Sequence, residues 1–213
     1  MKNDYSIKIK EKNISWDPNK STPSCKMSIK ELDEIIEYLK LQKIKSCVDF
    51  GCGNGRNSII LKKHFNLTLI ECGRNVEKLK KNTDFQNLSI VSYDNFSNLT
   101  DLNIDCYFVS FVFHTIPHDE IRSEILQLIR KNIKKEGILC IVSPKNDSKY
   151  TSSKTSLLLK LGDGFIKPHD DFKFSFYENL KQQKIINLLE ENGFSYTYKI
   201  ISKARNIIFA KPK

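Results

Sequence analysis

The sequence has no long apolar segment. No apolar run approaches the ~20 residues needed to cross a bilayer, so we expect no membrane partner. The first residues, MKNDYSIKIKEKN, lack an apolar core and do not resemble a secretory signal. The 213 residues contain no internal repeat and suit one domain with a substantial core. We therefore expect a cytoplasmic, single-domain protein.

None of the six cysteines forms a CxxC pair, so the spacing typical of many zinc and redox motifs is missing. Several of them lie in apolar runs, where a free thiol packs like a small apolar side chain. We expect reduced core thiols, with neither a disulfide framework nor a metal site. The six are Cys25, Cys47, Cys52, Cys72, Cys106 and Cys140.

Arginine is scarce although the net charge is +10: only five of the 35 basic residues are arginines. Basic patches can bind nucleic acid, but here the lysines are scattered. A chain rich in Lys, Asn and Ile together can also reflect an AT-rich genome. Nucleic acid is therefore an open but not a favoured partner.

Apolar segments of strand length alternate with segments of helical period from residue 28 onward. Such alternation predicts a parallel sheet covered on both faces. Ser28 and Glu31 predict a capping box at the start of the first helix. Strands are predicted at 45–50, 67–71, 88–94, 105–113 and 138–143, an antiparallel pair at 195–202 and 206–212, and further helices at 56–65, 75–82, 119–133 and 178–194.

Two segments fall outside this alternation. Residues 1–27 are polar and predict an irregular arm that carries Trp16. Residues 144–177, approximately, form a long connection of the kind that is often functional. We expect residues 28–213 to form one domain in which this connection is a lid-like insertion.

The stretch VDFGCGNGRNS, residues 48–58, is a glycine-rich turn after an apolar strand. It lacks the lysine and following Ser or Thr that a P-loop needs after its last glycine. Arg56 stands where the nicotinamide pattern GxGxxG has its last glycine, which disfavours that ligand. What remains is GxGxG at positions 51, 53 and 55, preceded by Asp49.

The order of the motifs resembles the class I S-adenosylmethionine-dependent methyltransferases over roughly residues 30–213. VDFGCGNG is similar to the motif at the end of their first strand, and LTLIE places Glu71 where their second strand ends in an acid. LSIVSYD supplies Asp94 after the third strand, and FVFHTIP is similar to the turn after the fourth. The resemblance implies a Rossmann-like, doubly wound, mostly parallel seven-stranded α/β sheet with an antiparallel C-terminal strand pair. It also implies an enzyme that uses S-adenosyl-L-methionine.

The resemblance assigns roles toward the methyl donor. Glu71 is expected to accept hydrogen bonds from the ribose hydroxyls, Asp94 to bind the adenine amino group beside Asn95 or Phe96, and Asp49 to attract the ammonium group. The glycines would let the backbone approach the ligand. Asp49 as a cap, Asp94 as a turn former and glycines serving only a tight turn remain alternatives. The expected cofactor-binding residues are Asp49, Gly51, Cys52, Gly53, Asn54, Gly55, Glu71, Cys72, Asp94, Asn95, Ser110 and Phe111.

His114 follows the fourth strand, beside the expected position of the transferred methyl group. A histidine with a pKa near 7 suits a base, and it could instead position the acceptor. The alternative is a histidine satisfied by backbone groups at the strand end. His118 is expected at the surface near a helix start, and no third residue has the spacing of a metal ligand.

The acceptor is the least determined partner. The chain lacks an NPPY or DPPY element after the fourth strand, which disfavours methylation of exocyclic base amines. We expect a small-molecule acceptor methylated at oxygen or nitrogen. The alternatives are methylation of RNA or protein and an inactive module that binds S-adenosylmethionine. An NAD-dependent oxidoreductase is a more distant alternative. The sequence leaves the oligomeric state open. We expect the arm and the insertion to form the acceptor pocket. Alternatively, their aromatic residues pack the insertion onto the sheet. The insertion contains Phe165, His169, Asp170, Asp171, Phe172, Phe174, Phe176 and Tyr177.

Overall fold

The structure is a computed structural model that describes residues 6–9, 12–17, 28–145, 159–161, 164–168 and 173–213. The strands are β1 (Ser6–Ile9), β2 (Lys12–Trp16), β3 (Ser46–Phe50), β4 (Asn66–Glu71), β5 (Ser89–Ser92), β6 (Ile104–Ser110), β7 (Ile133–Pro144), β8 (Leu159–Leu161), β9 (Gly164–Pro168), β10 (Lys173–Glu178), β11 (Phe194–Ile201) and β12 (Arg205–Pro212). The α-helices are α1 (Leu32–Leu41), α2 (Ser58–Leu61), α3 (Arg74–Lys81), α4 (Tyr93–Phe96), α5 (Asp119–Asn132) and α6 (Gln182–Glu191).

The larger sheet has seven strands in the order β11-β12-β7-β6-β3-β4-β5. The five strands from β7 to β5 run parallel to one another, as is usual for strands joined by crossover connections. Strand β12 is antiparallel to both of its neighbours, β7 and β11. The predicted fold, a doubly wound and mostly parallel sheet with an antiparallel C-terminal pair, is confirmed.

Both faces of the larger sheet are buried, because alternate residues of each strand point to opposite sides. On β3, Cys47 belongs to the apolar cluster that includes α1, whereas Val48 belongs to the cluster that includes α5 and α6. Helices therefore cover the sheet on both sides. This packing fixes the strand ends, and with them the first residues of the loops that follow.

The smaller sheet joins the N-terminal segment to the long connection after β7, in the order β1-β2-β10-β9-β8. Strand β2 pairs in parallel with β10, so Trp16 lies opposite Phe174. The prediction of an irregular arm is therefore wrong for residues 6–9 and 12–16. Strands β1 and β2 form a local antiparallel pair, but the pairing of β2 with β10 joins segments far apart in the chain and leaves no local pattern in the sequence.

Aromatic residues of the smaller sheet pack into the core of the protein. Trp16, Phe174 and Phe176 are buried in the same apolar cluster as α5 and α6. These three side chains therefore pack in the core and do not line an acceptor pocket. The predictions for His169, Asp170, Asp171, Phe172 and the side chain of Phe165 lie outside the described residues.

The first helix begins later than predicted. Helix α1 starts at Leu32, and Ser28 does not cap it. Glu31, the expected second member of the capping box, instead accepts hydrogen bonds from Ser202 Oγ and Arg205 Nη1, each at 2.5 Å. The capping-box prediction is therefore wrong, because these distant partners take the carboxylate that would have closed the box.

Three further predicted elements are shorter in the structure. Strand β5 ends at Ser92, whose Oγ caps α4 by accepting a hydrogen bond from the Asn95 N–H at 3.2 Å. Strand β6 ends at Ser110 and not at position 113. The predicted helix at 56–65 contains only α2, and turns continue to Phe65.

The described cysteines are free, and Cys72 is the one that is half-buried rather than buried. The prediction of core thiols is confirmed for the buried ones, Cys47, Cys52, Cys106 and Cys140, and Cys25 lies outside the described residues. No helix among the described residues is long and apolar enough to span a bilayer.

Candidate active site

The strand order of the larger sheet reverses between β3 and β6. From β3 the chain moves outward to β4 and β5, then crosses back to β6 on the other side of β3. In open parallel sheets, ligands bind beyond the carboxyl ends of the strands at such a switch point. The glycine loop follows β3, and Phe111 and His114 follow β6. The structure therefore brings these predicted site residues to one edge of the sheet.

The three glycines of the loop all have positive φ: 67° at Gly51, 61° at Gly53 and 77° at Gly55. A Cβ at Gly51 would lie 2.4 Å from Cγ2 of Val112, and one at Gly55 would lie 2.3 Å from Cζ of Phe85. The chain's own packing thus requires glycine at two of the positions. Both the tight-turn interpretation and the close approach of backbone to a ligand fit this conformation.

Glu71 ends β4 next to the loop and is 7% exposed. Its Oε2 accepts a hydrogen bond from the Gly53 N–H at 2.5 Å, and its Oε1 accepts one from the Cys72 N–H at 2.9 Å. Burial raises the pKa of the Glu71 carboxyl, and these two backbone donors counteract that rise. The carboxylate therefore joins the end of β4 to the glycine loop.

Asp49 lies on β3 and is 1% exposed. Its Oδ2 accepts a hydrogen bond from Ser58 Oγ at 2.6 Å, which ties the strand to the start of α2. Burial raises the pKa of Asp49 to about 7, although the Ser58 hydroxyl lowers it. This is a contact between two side chains, and the start of α2 has no side-chain cap. Asp49 therefore has a structural role beside its predicted attraction for an ammonium group.

Asp94 and Asn95 are exposed in the first turn of α4, directly beyond the end of β5. They are near Glu71, because Ser92 pairs with Glu71 across the β4–β5 ladder. Phe96 is fully buried and its ring lies 5.8 Å from that of Phe50. The expectation that Phe96 stacks on an adenine ring is therefore wrong, since that ring belongs to the core.

The remaining residues predicted to bind the methyl donor lie in or beside the glycine loop. Cys52 is buried and donates its backbone N–H to the Ile70 carbonyl at 3.3 Å. Asn54 is exposed, and its Oδ1 accepts a hydrogen bond from the Arg56 N–H at 3.3 Å. Cys72 is half-buried, and its Sγ donates to Glu71 Oε1 at 3.4 Å. Burial raises the pKa of the Cys72 thiol, so this side chain is a neutral neighbour of the acid.

Strand β6 ends in a strained turn at the switch point. Ser110 accepts a hydrogen bond from Asn57 Nδ2 at 3.4 Å, and Asn57 Oδ1 accepts one from the Ile29 N–H at 3.2 Å. Phe111 then adopts a φ of 58° while its N–H still donates to the Val142 carbonyl at 2.8 Å. A left-handed conformation at a phenylalanine is costly, and such strain is concentrated at functional sites.

His114 lies in a 3₁₀ turn formed by Phe113–Thr115 and is 5% exposed. Its ring centroid is 5.7 Å from that of Phe111 and 6.2 Å from that of Tyr177 on β10. Its Nδ1 has no hydrogen-bond partner among the described residues, so the expected satisfaction by backbone groups is not observed at this atom. Burial, together with the charge of Arg122, lowers the pKa of His114 to about 3. The imidazole is therefore neutral at pH 7, and a base with a pKa near 7 is not what this environment provides.

Arg122 holds the turn that carries His114. This arginine was not among the site residues predicted from the sequence. Its Nε donates to the Phe113 carbonyl at 2.9 Å, and its Nη2 donates to the Ile116 carbonyl at 2.5 Å. The guanidinium also pairs with Asp119 and with Glu178. A signal was present, because Arg122 shares the apolar stripe of α5 with Ile125 and Ile129 at helical spacing.

The residues around Glu71 fit S-adenosylmethionine as the methyl donor. A carboxylate accepts about four hydrogen bonds, and Glu71 uses one on each oxygen toward the backbone, which leaves capacity for a ribose diol. Within the described ranges, no three His, Cys, Asp or Glu side chains are grouped to hold a metal ion. His118, expected at the surface, is half-buried, with its Nδ1 3.7 Å from Oε2 of Glu120.

The larger sheet is Rossmann-like, with one reversed strand, β12, between β7 and the edge strand β11. A family model described as "methyltransferase domain" matches residues 26–199, which is most of the chain. The chain belongs to this methyltransferase domain family, and the protein is an enzyme.

Solved methyltransferase structures share the fold. An S-adenosylmethionine-dependent methyltransferase from Clostridium acetobutylicum ATCC 824 is similar with a TM-score of 0.63 and 14% identity, over 85% of this chain and 90% of that one. The 1,6-didemethyltoxoflavin-N1-methyltransferase of Burkholderia thailandensis, with bound 1,6-didemethyltoxoflavin and S-adenosylhomocysteine, has a TM-score of 0.60 and 14% identity, over 86% and 77% of the two chains. At these identities the likeness shows the fold.

One curated relative is a tRNA/tmRNA (uracil-C(5))-methyltransferase from Campylobacter lari. It is 23% identical, and the match covers 59% of this chain. The match spans only 42% of the relative's own length. The likeness therefore reaches less than half of that protein.

Proposed function

We propose that the protein transfers a methyl group from S-adenosylmethionine to an oxygen or nitrogen of a small-molecule acceptor. S-adenosylmethionine, once bound, supplies an electrophilic methyl group to a nucleophile that must approach in line. The protein's own contribution is then to hold both molecules, align the accepting atom and exclude water.

The donor would be held by the glycine loop and the ends of β4, β5 and β6. Glu71 would accept hydrogen bonds from the ribose hydroxyls, because its buried carboxylate has remaining acceptor capacity. Asp49 would face the ammonium group from below the loop, and Asp94 with Asn95 would lie toward the adenine. Backbone groups of Cys52, Asn54, Cys72, Ser110 and Phe111 would complete the donor site.

The environment of His114 is the observation that supports a small-molecule acceptor. The imidazole is 5% exposed, lies between the rings of Phe111 and Tyr177, and keeps Nδ1 without a partner among the described residues. A buried polar atom without a partner is costly, so a ligand that displaced a neighbouring side chain and hydrogen-bonded to Nδ1 would gain affinity. So enclosed a position suits a small acceptor.

His114 would act as a neutral hydrogen-bonding group. Its pKa of about 3 keeps the imidazole uncharged at pH 7. A neutral imidazole can accept a hydrogen bond from a hydroxyl or an amine and so orient the nucleophilic lone pair. As the new bond to the methyl carbon forms, the C–S bond of the donor would break and S-adenosylhomocysteine would leave with the electron pair. The proton of the methylated atom would then pass to water, because His114 with a pKa of about 3 is a weak base.

RNA is the second candidate acceptor. The net charge of +10 supports it, as does the likeness to a relative named as a tRNA/tmRNA methyltransferase. Against it stands the burial of His114, which a nucleotide within a chain could reach only after being turned out of its stack.

The experiment supplies S-adenosylmethionine with a labelled methyl group to three separate pools: deproteinised small metabolites, total RNA, and protein. We expect the label in the small-metabolite pool with the wild-type protein and with Glu77→Ala, an exposed variant on α3. Glu71→Ala should abolish most of this transfer, and His114→Phe should reduce it while donor binding is kept.

Label in RNA alone would replace the small-molecule proposal with the second candidate. Donor binding without label in any pool would support an inactive binding module. Either result would contradict the proposed acceptor, and the Glu71→Ala sample separates enzymatic transfer from spontaneous methylation in each pool.

A further inference from the structure

Two of the protein's five arginines meet at the ring of Phe111. The guanidinium carbon of Arg56 lies 5.4 Å from the ring centroid, and that of Arg205 lies 5.9 Å from it. Arg56 follows the glycine loop, whereas Arg205 is the first residue of β12 and lies opposite Pro144 at the end of β7. Three separate parts of the chain thus bring two cations to the carboxyl edge of the sheet.

Arg205 is held rigidly. Its Nη1 donates to Glu31 Oε2 at 2.5 Å, and the other oxygen of Glu31 accepts from Ser202 Oγ at 2.5 Å. Its Nε is buried and has no hydrogen-bond partner among the described residues. A guanidinium held in this way needs little reorganisation to bind an anion through its nitrogens other than the buried Nε.

A third cation, Lys145, follows β7 and lies beside the turn that precedes β12. Lys145 donates its backbone N–H to the Ala204 carbonyl at 2.9 Å, and its Nζ lies 3.4 Å from the Ser202 carbonyl oxygen. Glu31 and Asp49 are the acids near these cations. Glu31 is engaged by Arg205, and Asp49 is hydrogen-bonded to Ser58 below the loop. Arg56 also interacts electrostatically with Asp49, so these two acids offset part of the positive charge of Arg56, Arg205 and Lys145.

Nδ1 of His114 also lacks a hydrogen-bond partner within the part of the chain that the structure describes, and the His114 ring lies 5.7 Å from that of Phe111. Phe111 thus adjoins both a cationic pair and the neutral imidazole. This juxtaposition suits a ligand that carries a negative group at one end and a hydrogen-bonding nucleophile at the other.

We propose that Arg56 and Arg205 together bind a carboxylate or phosphate group beside the ring of Phe111. The proposal rests on the proposed function for the nature of the ligands. Two sources share this chemistry: an anionic group of the acceptor, or the carboxylate of the methyl donor. Planar guanidinium groups recognise both kinds of anion by paired N–H donors.

The first part of the test measures the dissociation constants of S-adenosylhomocysteine and of 5′-methylthioadenosine, which lacks the carboxylate, by calorimetry. The variants are Arg56→Gln, Arg205→Gln and Arg205→Lys, with Arg130→Gln as the matched control. Arg130 lies at the opposite edge, where it donates to the carbonyls of Gly193 and Lys213. If the anion is the donor's carboxylate, each Gln variant loses about tenfold to a hundredfold in affinity for S-adenosylhomocysteine and nothing for the shorter ligand.

The second part adds inorganic phosphate or benzoate to protein saturated with S-adenosylhomocysteine. If the anion belongs to the acceptor, both probes raise the melting temperature of the wild type and of Arg130→Gln, but not of the other Gln variants. Arg56→Gln keeps the Arg205–Glu31 pair and so stays informative if Arg205→Gln is unstable. Arg205→Lys keeps the charge and should show a smaller loss than Arg205→Gln.

Unchanged affinity for S-adenosylhomocysteine in both Gln variants, together with no shift by either probe, would overturn the proposal. If the wild type failed to bind S-adenosylhomocysteine, the proposed function would fail instead. The probes would then be applied to the ligand-free protein, where a shift that needs both arginines would still support the anion site.

Discussion

Arg122 and Glu178 form a buried ion pair that joins α5 to β10. Arg122 Nη2 lies 2.6 Å from Glu178 Oε2, and the two side chains are 1% and 5% exposed. Glu178 also pairs with Lys184 of α6 at 2.8 Å. Because Arg122 donates to carbonyls of the His114 turn as well, the pair connects the smaller sheet to the turn that carries His114.

Breaking this pair should destabilise the protein strongly. Arg122→Met leaves Glu178 buried with fewer partners and frees two buried carbonyls, so we expect the free energy of unfolding to fall by about 3–5 kcal/mol. Combining it with Glu178→Gln should cost less than the sum of the two single changes. Urea denaturation measures both. A matched surface change, Glu37→Gln in the exposed pair with Lys40, should cost at most about 0.5 kcal/mol; an equally small loss for Arg122→Met would contradict the role of the pair.

His114 should make the protein less stable at acid pH. Its folded pKa of about 3 lies below the ordinary value near 6.5, so the unfolded state takes up a proton first as the pH falls. Its contribution to stability is present above about pH 6.5 and is lost toward pH 3. Between pH 7.5 and 4.5, the wild type should lose roughly 2–3 kcal/mol relative to His114→Phe. His64→Gln, at an exposed position, should follow the wild type; parallel curves for all three would show that His114 is not buried as a neutral group.

Asp49 should couple donor binding to proton release. Its pKa in the free protein is about 7, and an ammonium group beside it would favour the carboxylate, so the bound state has the lower pKa. Affinity for S-adenosylhomocysteine should therefore rise between pH 6 and 8, by up to about tenfold. Calorimetry in buffers of different ionisation heat detects the released proton. Asp49→Asn should abolish the dependence, and proton uptake by the wild type would contradict this account.

Gly51 should tolerate no side chain. Alanine there meets both a φ of 67° and a Cβ that would lie 2.4 Å from Val112 Cγ2. We expect Gly51→Ala to lower the free energy of unfolding by about 2–4 kcal/mol, which combines backbone strain with overpacking. Adding Val112→Ala should restore the part due to overlap and leave the part due to φ. If the free energy of unfolding of the double variant falls by the sum of the decreases in the two single variants, overlap with Val112 does not cause the destabilisation by Gly51→Ala.

The sequence predicted the features that depend on local pattern. Glu71 could be identified because an apolar strand ends in an acid at the position that the family resemblance expects, and the parallel sheet followed from the alternation of strands and helices. The structure places Glu71 directly at the glycine loop. Parallel strands joined by short crossovers leave few other arrangements, which is why the larger sheet was predictable.

Features that depend on distant contacts were missed. Glu31 reads as half of a capping box, but its carboxylate is taken by Arg205 of β12. Trp16 reads as part of an irregular arm, but it pairs with Phe174 on β10. Phe111 reads as strand, but the chain turns there with a positive φ. In each case a partner far along the chain overrides the local preference.

The central claim is that the glycine loop and Glu71 bind the adenosyl part of a methyl donor. The most direct test is calorimetric titration of S-adenosylhomocysteine into the wild type, Glu71→Ala and Glu77→Ala, with NAD as a second ligand. The account predicts one site per chain, a loss of about tenfold to a hundredfold in Glu71→Ala alone, and no heat with NAD. Unchanged affinity in Glu71→Ala, or binding of NAD in place of S-adenosylhomocysteine, would contradict it.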